Sequence, residues 1–349
     1  MSTQIIHIAE FTLEGGKALR DVPVAFRSWG TLNAAGTNAV VVCHALTGNP
    51  EADDWWSELI GPGKVLDTDR YFVVCANVMG SPYGTLSPVT TNPDTGEAWG
   101  HAFPATTVRD TVALHRALLE TLGVSQVLFA IGGSLGGMQA LEWAFHDDYV
   151  RGIVPIGVGG RHSAWCIGWS EAQRQAIYND PRWQGGRYQA DEPPAGGLSV
   201  ARMMAMVSYR SFASFSDRFG RERADATDDD SFQVESYLRH QGRKLVDRFD
   251  ARCYVHLTEV MDTHDVSRGR GEYLEVLGGI RQPALVVGIT TDILYPLDEQ
   301  RELAEFMPNA ELAVLDAPQG HDAFLIEQRQ LAEQLRRWRE AFLDPLLEV

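Results

Sequence analysis

The sequence predicts an α/β fold in which a mostly parallel β-sheet is flanked by helices. The chain has 349 residues, and 44% of them are hydrophobic, a fraction ordinary for a globular protein. Its short apolar runs are rich in Val and Ile and are continuous rather than alternating, as in strands buried on both faces. Helical patterns separate several runs, and such alternation favours the α/β class. The runs lie at residues 38–46, 71–80, 127–133, 152–159, 284–290 and 311–318.

Three segments carry apolar side chains at helical spacing and are predicted helices. In residues 106–123 these side chains lie near one face, and Gly123 is placed to end the helix. Residues 297–308 repeat the pattern up to Pro308, and residues 325–343 form a further helix.

The middle of the chain has a different composition. From about residue 165 to 271 strand-like runs are missing, and Arg, Gln, Met, Ser and aromatic residues dominate. Residues 182–197 have the composition of a loop, whereas residues 198–212 show a helical pattern. We therefore predict a core of residues 1–164 and 272–349. Residues 165–271 are the predicted inserted helical lid subdomain over the carboxyl edge of the sheet.

Charge and composition exclude several classes of protein. The formal net charge of −17 argues against nucleic acid or an anionic membrane as the main partner. No apolar run approaches the roughly 18 residues of a membrane-spanning helix, and the first residues lack the regions of a signal peptide. The four cysteines are widely spaced, without a C-x-x-C motif. We therefore expect a soluble, cytoplasmic protein.

Residues 132–136 read Gly-Gly-Ser-Leu-Gly, directly after a predicted strand and directly before a helix. They fit the G-x-S-x-G pattern of a nucleophile elbow, where a sharp strand-to-helix turn exposes the serine oxygen and small residues let both segments approach closely. The glycines fit neither a dinucleotide-binding loop nor a phosphate-binding loop. Ser134 is therefore the predicted nucleophile, and a merely tight turn is the alternative.

A serine hydroxyl becomes a good nucleophile when a base takes its proton and a third group orients that base. In α/β hydrolases the chain order is serine, then an acid, then histidine. Asp292 ends a predicted strand, and His321 follows the last predicted strand with a glycine just before it. We predict a Ser134–His321–Asp292 triad, with Asp298 and Asp316 as the alternative acids.

Acyl transfer also needs hydrogen-bond donors for the oxyanion of the tetrahedral intermediate. The backbone N–H of Leu135, which follows the nucleophile, is one predicted donor. The backbone N–H of Leu46, in the turn after the first predicted strand, is the other. His44 in the same turn is predicted to be a structural histidine that hydrogen-bonds the loop backbone.

Longer segments resemble the homoserine O-acetyltransferases of methionine biosynthesis, a branch of the α/β-hydrolase fold, over nearly the whole chain. The segments are "HALTG", "NVMGSPYGTLSP", "NPDTGEAWG", "GGSLGGMQALEWA", "EAQRQAI", "ARMMAMVSYRS", "MDTHDVSRGRG", "GITTDILYP" and "GHDAF". The resemblance implies ping-pong transfer of an acetyl group from acetyl-CoA to the γ-hydroxyl of L-homoserine. It also implies a helical lid that forms a homodimer, with no metal and no bound cofactor.

The resemblance places Arg202 and Tyr209 at the pair of positions that bind the amino acid, and Asp322 at the position that holds its ammonium group. The chemistry agrees, because a zwitterion needs a cation for its carboxylate and an anion for its amine. Seven residues apart, Arg202 and Tyr209 would share one face of a helix. The alternative is a surface arginine and a core tyrosine.

The segment 255–265 contains histidines and acidic residues, as a metal site would. However, His256 and His264 lack the spacing of the zinc-binding H-E-x-x-H motif. We expect this segment to be the hinge that returns from the lid to the core.

One loop departs from a familiar form of the family, which has two glycines and a cysteine where this chain has Gly80-Ser81-Pro82-Tyr83. This loop is expected near the acyl pocket. Succinyl transfer to homoserine, acyl transfer to serine, and hydrolysis by an esterase or thioesterase therefore stay open. A non-catalytic binding protein is a further alternative, disfavoured because all three triad residues are present.

Overall fold

An eight-stranded sheet forms the centre of the part of the chain that the structure describes. The computed structural model covers residues 2–146, 148–224 and 231–344. The strands are β1 (Gln4–Thr12), β2 (Ala18–Trp29), β3 (Ala39–Cys43), β4 (Phe72–Ala76), β5 (Val127–Gly133), β6 (Ile153–Ile156), β7 (Ala284–Ile289) and β8 (Ala310–Leu315). Their spatial order is β1-β2-β4-β3-β5-β6-β7-β8. Strands β3 to β8 are parallel, whereas β2 pairs antiparallel with β1 and β4.

Helices connect most of the strands. They are α1 (Ala52–Trp55), α2 (Val108–Thr121), α3 (Leu135–Trp143), α4 (Ala164–Tyr178), α5 (Ala195–Ser208), α6 (Phe212–Phe219), α7 (Gln233–Val246), α8 (Ala251–Asp262), α9 (Tyr273–Gly279), α10 (Leu297–Phe306), α11 (Ala323–Ile326) and α12 (Gln328–Phe342). Short 3₁₀ turns lie at Gly100–Ala102, Gln184–Gly186 and Gly320–Asp322. The predicted α/β class with a mostly parallel sheet is confirmed.

The sheet is buried on both faces, as its continuous apolar runs predict. In β3, Val41 and Cys43 pack into one hydrophobic cluster together with side chains of α2 and α3. Their neighbours Val40 and Val42 point to the opposite face, into a second cluster that contains Trp338 of α12. Successive side chains of a strand point to opposite faces, so a strand covered by helices on both sides must be apolar throughout.

The β1–β2 hairpin at one edge of the sheet is an element that the apolar runs do not predict. β1 is mostly exposed, and along β2 exposed and buried residues are interspersed. Antiparallel edge strands face water on one side, and they therefore lack the continuous apolar run by which the other strands are recognised.

Helix boundaries differ from the predictions by a few residues. The helix predicted at 325–343 is divided into α11 and α12 at Glu327, and the helix predicted at 198–212 is α5, which ends at Ser208. The predicted loop at 182–197 contains a 3₁₀ turn and the first residues of α5. Gly123 has a φ of +86° just after α2, which is the conformation expected of a glycine that ends a helix.

Between β6 and β7 the described residues form the helices α4 to α9, and α4 to α8 make up an insertion between residues 160 and 266. The two ends of this insertion are hydrogen-bonded to each other. The His162 N–H donates to the His264 carbonyl at 2.9 Å, and the Val266 N–H donates to the Gly160 carbonyl at 3.0 Å. The chain therefore leaves and re-enters the core at one place.

The prediction of a hinge at 255–265 is wrong for most of this segment, because α8 continues to Asp262. Its apolar side chains are buried, so this part of the chain packs as a helix, and only the residues after Asp262 leave it. The division into a core and a lid stays a prediction. Within the predicted ranges, residues 1, 147, 225–230 and 345–349 lie outside the described residues.

Glycines let α3 lie directly against β3. A Cβ atom on Gly136 would lie 2.1 Å from the carbonyl oxygen of Cys43, and a Cβ on Gly132 would lie 2.5 Å from the same atom. Both distances are far below a van der Waals contact, and the obstacle is backbone. The helix and the strand can approach this closely only while both positions lack a side chain.

We expect Gly136→Ala to lower the free energy of unfolding by about 1–3 kcal/mol, because the methyl group forces α3 away from β3. The matched control is Gly168→Ala in α4, where an added Cβ atom would meet nothing within 4 Å beyond its own helix backbone. That change should leave stability unchanged or raise it by up to about 1 kcal/mol. Urea denaturation measures both, and equal stability of the two variants would contradict the close contact.

Candidate active site

Ser134 occupies a one-residue turn between β5 and α3. Its backbone has φ +59° and ψ −124°, a conformation that residues other than glycine rarely adopt. The Ser134 N–H donates to the carbonyl of Ile156 on β6 at 2.9 Å. A strained serine at the end of a parallel strand is the geometry of a nucleophile elbow.

The remaining glycines of the motif make room for neighbouring side chains. A Cβ on Gly133 would lie 2.6 Å from the ring of Phe324, and a Cβ on Gly137 would lie 2.8 Å from the side chain of Val158. Each glycine therefore admits a different neighbour, which explains why so many occur around one serine.

His321 and Asp292 are in direct contact. The distance from His321 Nδ1 to Asp292 Oδ2 is 2.6 Å, and both residues are buried. A carboxylate can only accept a hydrogen bond, so Nδ1 carries the proton and the opposite nitrogen, Nε2, is a base. Among the described residues Nε2 has no hydrogen-bond partner. The other oxygen of Asp292 accepts the backbone N–H groups of Leu294 and Tyr295, at 2.8 and 2.9 Å.

The environment tunes the basicity of His321. Burial by itself lowers the pKa of His321, but the charge of Asp292 and its hydrogen bond outweigh burial and raise that pKa above its usual value. Three aromatic rings surround the imidazole, with centroid distances of 5.8 Å to Tyr209, 5.3 Å to Tyr295 and 5.6 Å to Phe324. The ring is therefore held in place by packing as well as by Asp292.

The two alternative acids lie elsewhere. Asp298 is exposed and forms an ion pair with Arg301 at 2.8 Å, and Asp316 is exposed and accepts from Thr290 at 3.3 Å. Asp292 is the carboxylate that the structure brings to His321.

One cavity of about 110 Å³ collects six of the eight predicted site residues. They come from four separate segments: the turn after β3, the elbow, the end of α5 and the turn before α11. The cavity is lined by Ala45, Leu46, Thr47, Ser134, Arg202, Tyr209, His321, Asp322, Phe324 and Leu325. The other two predicted residues, Asp292 and Leu135, are buried next to residues of this lining.

Of the two predicted oxyanion donors, Leu46 lines this cavity, and Leu135 directly follows Ser134, which lines it. Leu135 is the first residue of α3, so its N–H is one of the donors that a helix leaves without an acceptor of its own. Leu46 lines the cavity in a tight turn that is closed by the Gly48 N–H and the Ala45 carbonyl at 2.9 Å.

The predicted amino-acid site brings opposite charges into the same cavity. The guanidinium of Arg202 lies 5.7 Å from the ring centre of Tyr209, which directly follows α5. Burial raises the pKa of Tyr209 to about 12, so its hydroxyl is neutral at neutral pH. Asp322 faces the cavity next to His321 and forms an ion pair with Arg210 at 3.2 Å.

Other histidines near the site have structural partners. The Val78 N–H donates to His44 Nε2 at 2.9 Å, and His44 Nδ1 lies 2.9 Å from the Ala45 carbonyl. Burial lowers the pKa of His44 to about 4, so it is neutral. His256 contacts Thr106 and His264 contacts the Gly159 carbonyl, at 2.8 and 3.1 Å. These two histidines therefore do not share a ligand.

Three residues at the site are not predicted by the sequence pattern. Tyr295 packs on His321, Gly157 adopts a φ of +54° beside the His321 ring, and Arg210 pairs with Asp322. Arg210 directly follows Tyr209, but adjacency alone is a weak signal. Nothing in the local sequence shows that a residue near 210 meets a residue near 322.

The described residues include neither a cluster of side chains suited to a metal ion nor a helix suited to cross a membrane. No group of three or more histidine, cysteine, aspartate or glutamate side chains among them is arranged to hold a metal ion. None of the helices in this part of the chain combines the length and the apolar character that a membrane crossing needs.

Comparison with known proteins agrees with this geometry. The family model described as alpha/beta hydrolase fold matches residues 38–328. The crystal structure of esterase E22 superposes with a TM-score of 0.88 at 26% identity, covering 97% of this chain and 99% of that chain. Fold and site together define the protein as a member of the α/β-hydrolase class.

Curated relatives show which family within the α/β-hydrolase class the chain belongs to. Homoserine O-acetyltransferase of Salinibacter ruber is 61% identical over 342 residues, which are 97% of this chain and 97% of the relative. Homoserine O-acetyltransferase of Nostoc punctiforme is 56% identical and covers 95% of this chain and 94% of the relative. The chain therefore belongs to the homoserine O-acetyltransferase family, as the sequence motifs predicted.

We expect Asp292→Asn to slow the overall reaction by roughly 10⁴-fold, because the imidazole loses its orienting charge and its correct tautomer. Asp316→Asn is the matched control, since it removes an exposed carboxylate near the same loop and should stay within about twofold of wild type. Steady-state kinetics with acetyl-CoA and homoserine measures both variants. An Asp292→Asn enzyme within about tenfold of wild type would show that another group orients His321.

Proposed function

We propose that this protein transfers an acetyl group from acetyl-CoA to the γ-hydroxyl of L-homoserine by a ping-pong mechanism. The observation that carries the proposal is the shared cavity, in which Ser134 and His321 lie beside a cation and an anion, Arg202 and Asp322. The names of the relatives at 61% and 56% identity support this choice of acyl group and acceptor.

In the first half-reaction His321 Nε2 takes the proton of Ser134 as Oγ attacks the thioester carbonyl carbon of acetyl-CoA. The N–H groups of Leu46 and Leu135 stabilise the oxyanion that forms, and Asp292 stabilises the protonated imidazole. The carbon–sulfur bond then breaks, His321 returns its proton to the departing thiol, and acetyl-Ser134 remains.

In the second half-reaction homoserine enters the same cavity. Arg202 and Tyr209 bind its carboxylate, and Asp322 binds its ammonium group, which places the γ-hydroxyl at the acetyl-serine. His321 takes the hydroxyl proton, the new ester bond forms, and the bond to Ser134 Oγ breaks as the proton returns to the serine. The chain needs no metal and no resident cofactor for these steps.

Hydrolysis is the competing outcome, and the fold neighbour esterase E22 carries that activity in its name. A plain esterase has no use for both a cation and an anion beside its nucleophile, so the presence of Arg202 and Asp322 in one cavity favours transfer to a zwitterion. The names of the relatives at 61% and 56% identity favour an acetyl group over succinyl. Water must also be kept from the acyl-enzyme, which a covered site achieves.

The proposal includes the arrangement of the chain. Residues 165–271 act as a lid on a core of residues 1–164 and 272–349, and the protein works in the cytoplasm as a homodimer joined through the lid. An exposed apolar stripe on the lid supports the dimer, because Val200 and Val207 lie two turns apart on α5 and are 42% and 41% exposed. Sedimentation velocity distinguishes this dimer from a monomer.

The central test is a product analysis. Incubated with acetyl-CoA alone, the wild type should gain the mass of one acetyl group, and with L-homoserine it should form O-acetylhomoserine rather than acetate. Ser134→Ala should gain no acetyl group and keep its fold. Mass spectrometry with acetyl-CoA and succinyl-CoA against homoserine and serine identifies both substrates, and acetate as the dominant product would show an esterase.

Arg202→Ala should impair the second half-reaction alone, because acetyl-CoA carries no amino-acid zwitterion. A lost charge-assisted hydrogen bond costs about 2–3 kcal/mol, or about 30- to 150-fold in kcat/KM for homoserine. Stopped-flow release of CoA measures the first half-reaction, and O-acetylhomoserine formation measures the second. Equal losses in both would place Arg202 in the CoA site or in the structure of the lid.

A further inference from the structure

Asp322 is paired with an arginine that lies outside the cavity. Nε of Arg210 lies 3.2 Å from Oδ2 of Asp322, and the side chains are only 18% and 16% exposed. Among the described residues that line the cavity, Asp322 is one and Arg210 is not. The guanidinium therefore neutralises Asp322 from the side that a substrate does not occupy.

Backbone contacts hold the segments that carry Arg210 and Asp322 next to each other. Arg210 directly follows Tyr209, whose carbonyl accepts the Asp322 N–H at 3.2 Å. A Cβ on Gly320 would lie 2.8 Å from the carbonyl carbon of Arg210. The turn that carries Asp322 and the junction between α5 and α6 are thus in contact backbone to backbone, which leaves the ion pair little freedom.

Burial and the neighbouring charges act on Asp322 in opposite directions. Burial raises the pKa of Asp322, whereas Arg210, His321 and Arg202 lower it, and the net effect is a raised pKa. The groups that face Asp322 are Arg202, Tyr209 and Arg210 from the insertion, His321 from its own turn, and Asp292 from the loop after β7.

Of the two arginines, Arg202 lines the cavity and is available to a substrate carboxylate. The carboxylate of a bound acceptor would therefore pair with Arg202. Arg210 would then remain as the cation that pairs with Asp322 alone. A buried carboxyl group that lost its last dedicated cation would take up a proton near neutral pH.

We infer that Arg210 is a positioning residue for the acceptor: its positive charge beside Oδ2 keeps Asp322 ionised, and the other oxygen, Oδ1, is left to meet the substrate ammonium. The inference rests on the proposed function, since it requires a zwitterionic acceptor. A protonated Asp322 would offer its O–H as a donor, and an ammonium group has no lone pair to accept it.

The test compares Arg210→Met, which is similar in length but uncharged, with Arg210→Lys, which keeps the charge. At about pH 6.5, kcat/KM of Arg210→Met for homoserine should fall at least about tenfold relative to wild type, because most of the Asp322 carboxyl is then protonated. A raised carboxyl pKa leaves the ionised form only at higher pH, so the deficit should shrink as the pH rises to about 8.5. Arg210→Lys should recover most of the activity.

Two measurements separate this role from a merely structural one. The CoA burst of Arg210→Met should stay within about twofold of wild type, because acylation of Ser134 needs no ammonium site. With 4-hydroxybutanoate, which is homoserine without its amino group, the variant and the wild type should transfer the acetyl group at equally low rates. Urea denaturation shows whether Arg210→Met is folded, and Arg210→Lys carries the test if it is not.

A loss that is equal at every pH, in both acceptors and in the CoA burst, would overturn the inference and leave the proposed function intact. Unchanged kinetics of Arg210→Met with homoserine would overturn it as well. A wild type that forms no O-acetylhomoserine would overturn the proposed function itself, and this inference with it.

Discussion

The strained backbone of Ser134 is the constraint on which the site depends. A residue with φ +59° costs of the order of 1–3 kcal/mol, so it persists only where its surroundings hold it. Those surroundings are three adjacent parallel strands: β5 ends at the serine, β6 accepts its N–H through Ile156, and β3 receives α3 at Gly136. The buried sheet therefore aims the serine hydroxyl, and the glycines are the condition for that geometry.

Two carboxylates, Asp292 and Asp322, lie near His321 and have different partners. Asp292 receives the imidazole N–H and two backbone N–H groups, so its charge is fully hydrogen-bonded and points away from solvent. Asp322 is paired with Arg210 and faces the cavity. Buried charges are tolerated when they are paired, and here different partners give two neighbouring acids different roles. In the proposed mechanism Asp292 orients the base, and Asp322 binds the substrate ammonium.

The two halves of the proposed reaction come from different parts of the chain. The loops that follow the sheet strands supply the elbow, His321 and the turn of Leu46, which is the proposed oxyanion turn. The insertion between β6 and β7 supplies Arg202 and Tyr209, and its junction at Arg210 contacts the turn of His321. Backbone atoms of this junction contact the turn that carries His321. The insertion is therefore packed directly against the proposed catalytic residues.

The sequence alone determined the parallel sheet and located Ser134, Asp292 and His321, since burial on both faces and the strand-to-helix turn leave local patterns that a reader can recognise. It did not reveal the β1–β2 hairpin, whose edge strands lack a continuous apolar run. It also did not reveal the Arg210–Asp322 pair, although both residues stand beside predicted site residues. The tertiary structure decided that pairing, because contact between segments about a hundred residues apart depends on how the insertion docks on the core, and no local periodicity encodes that docking.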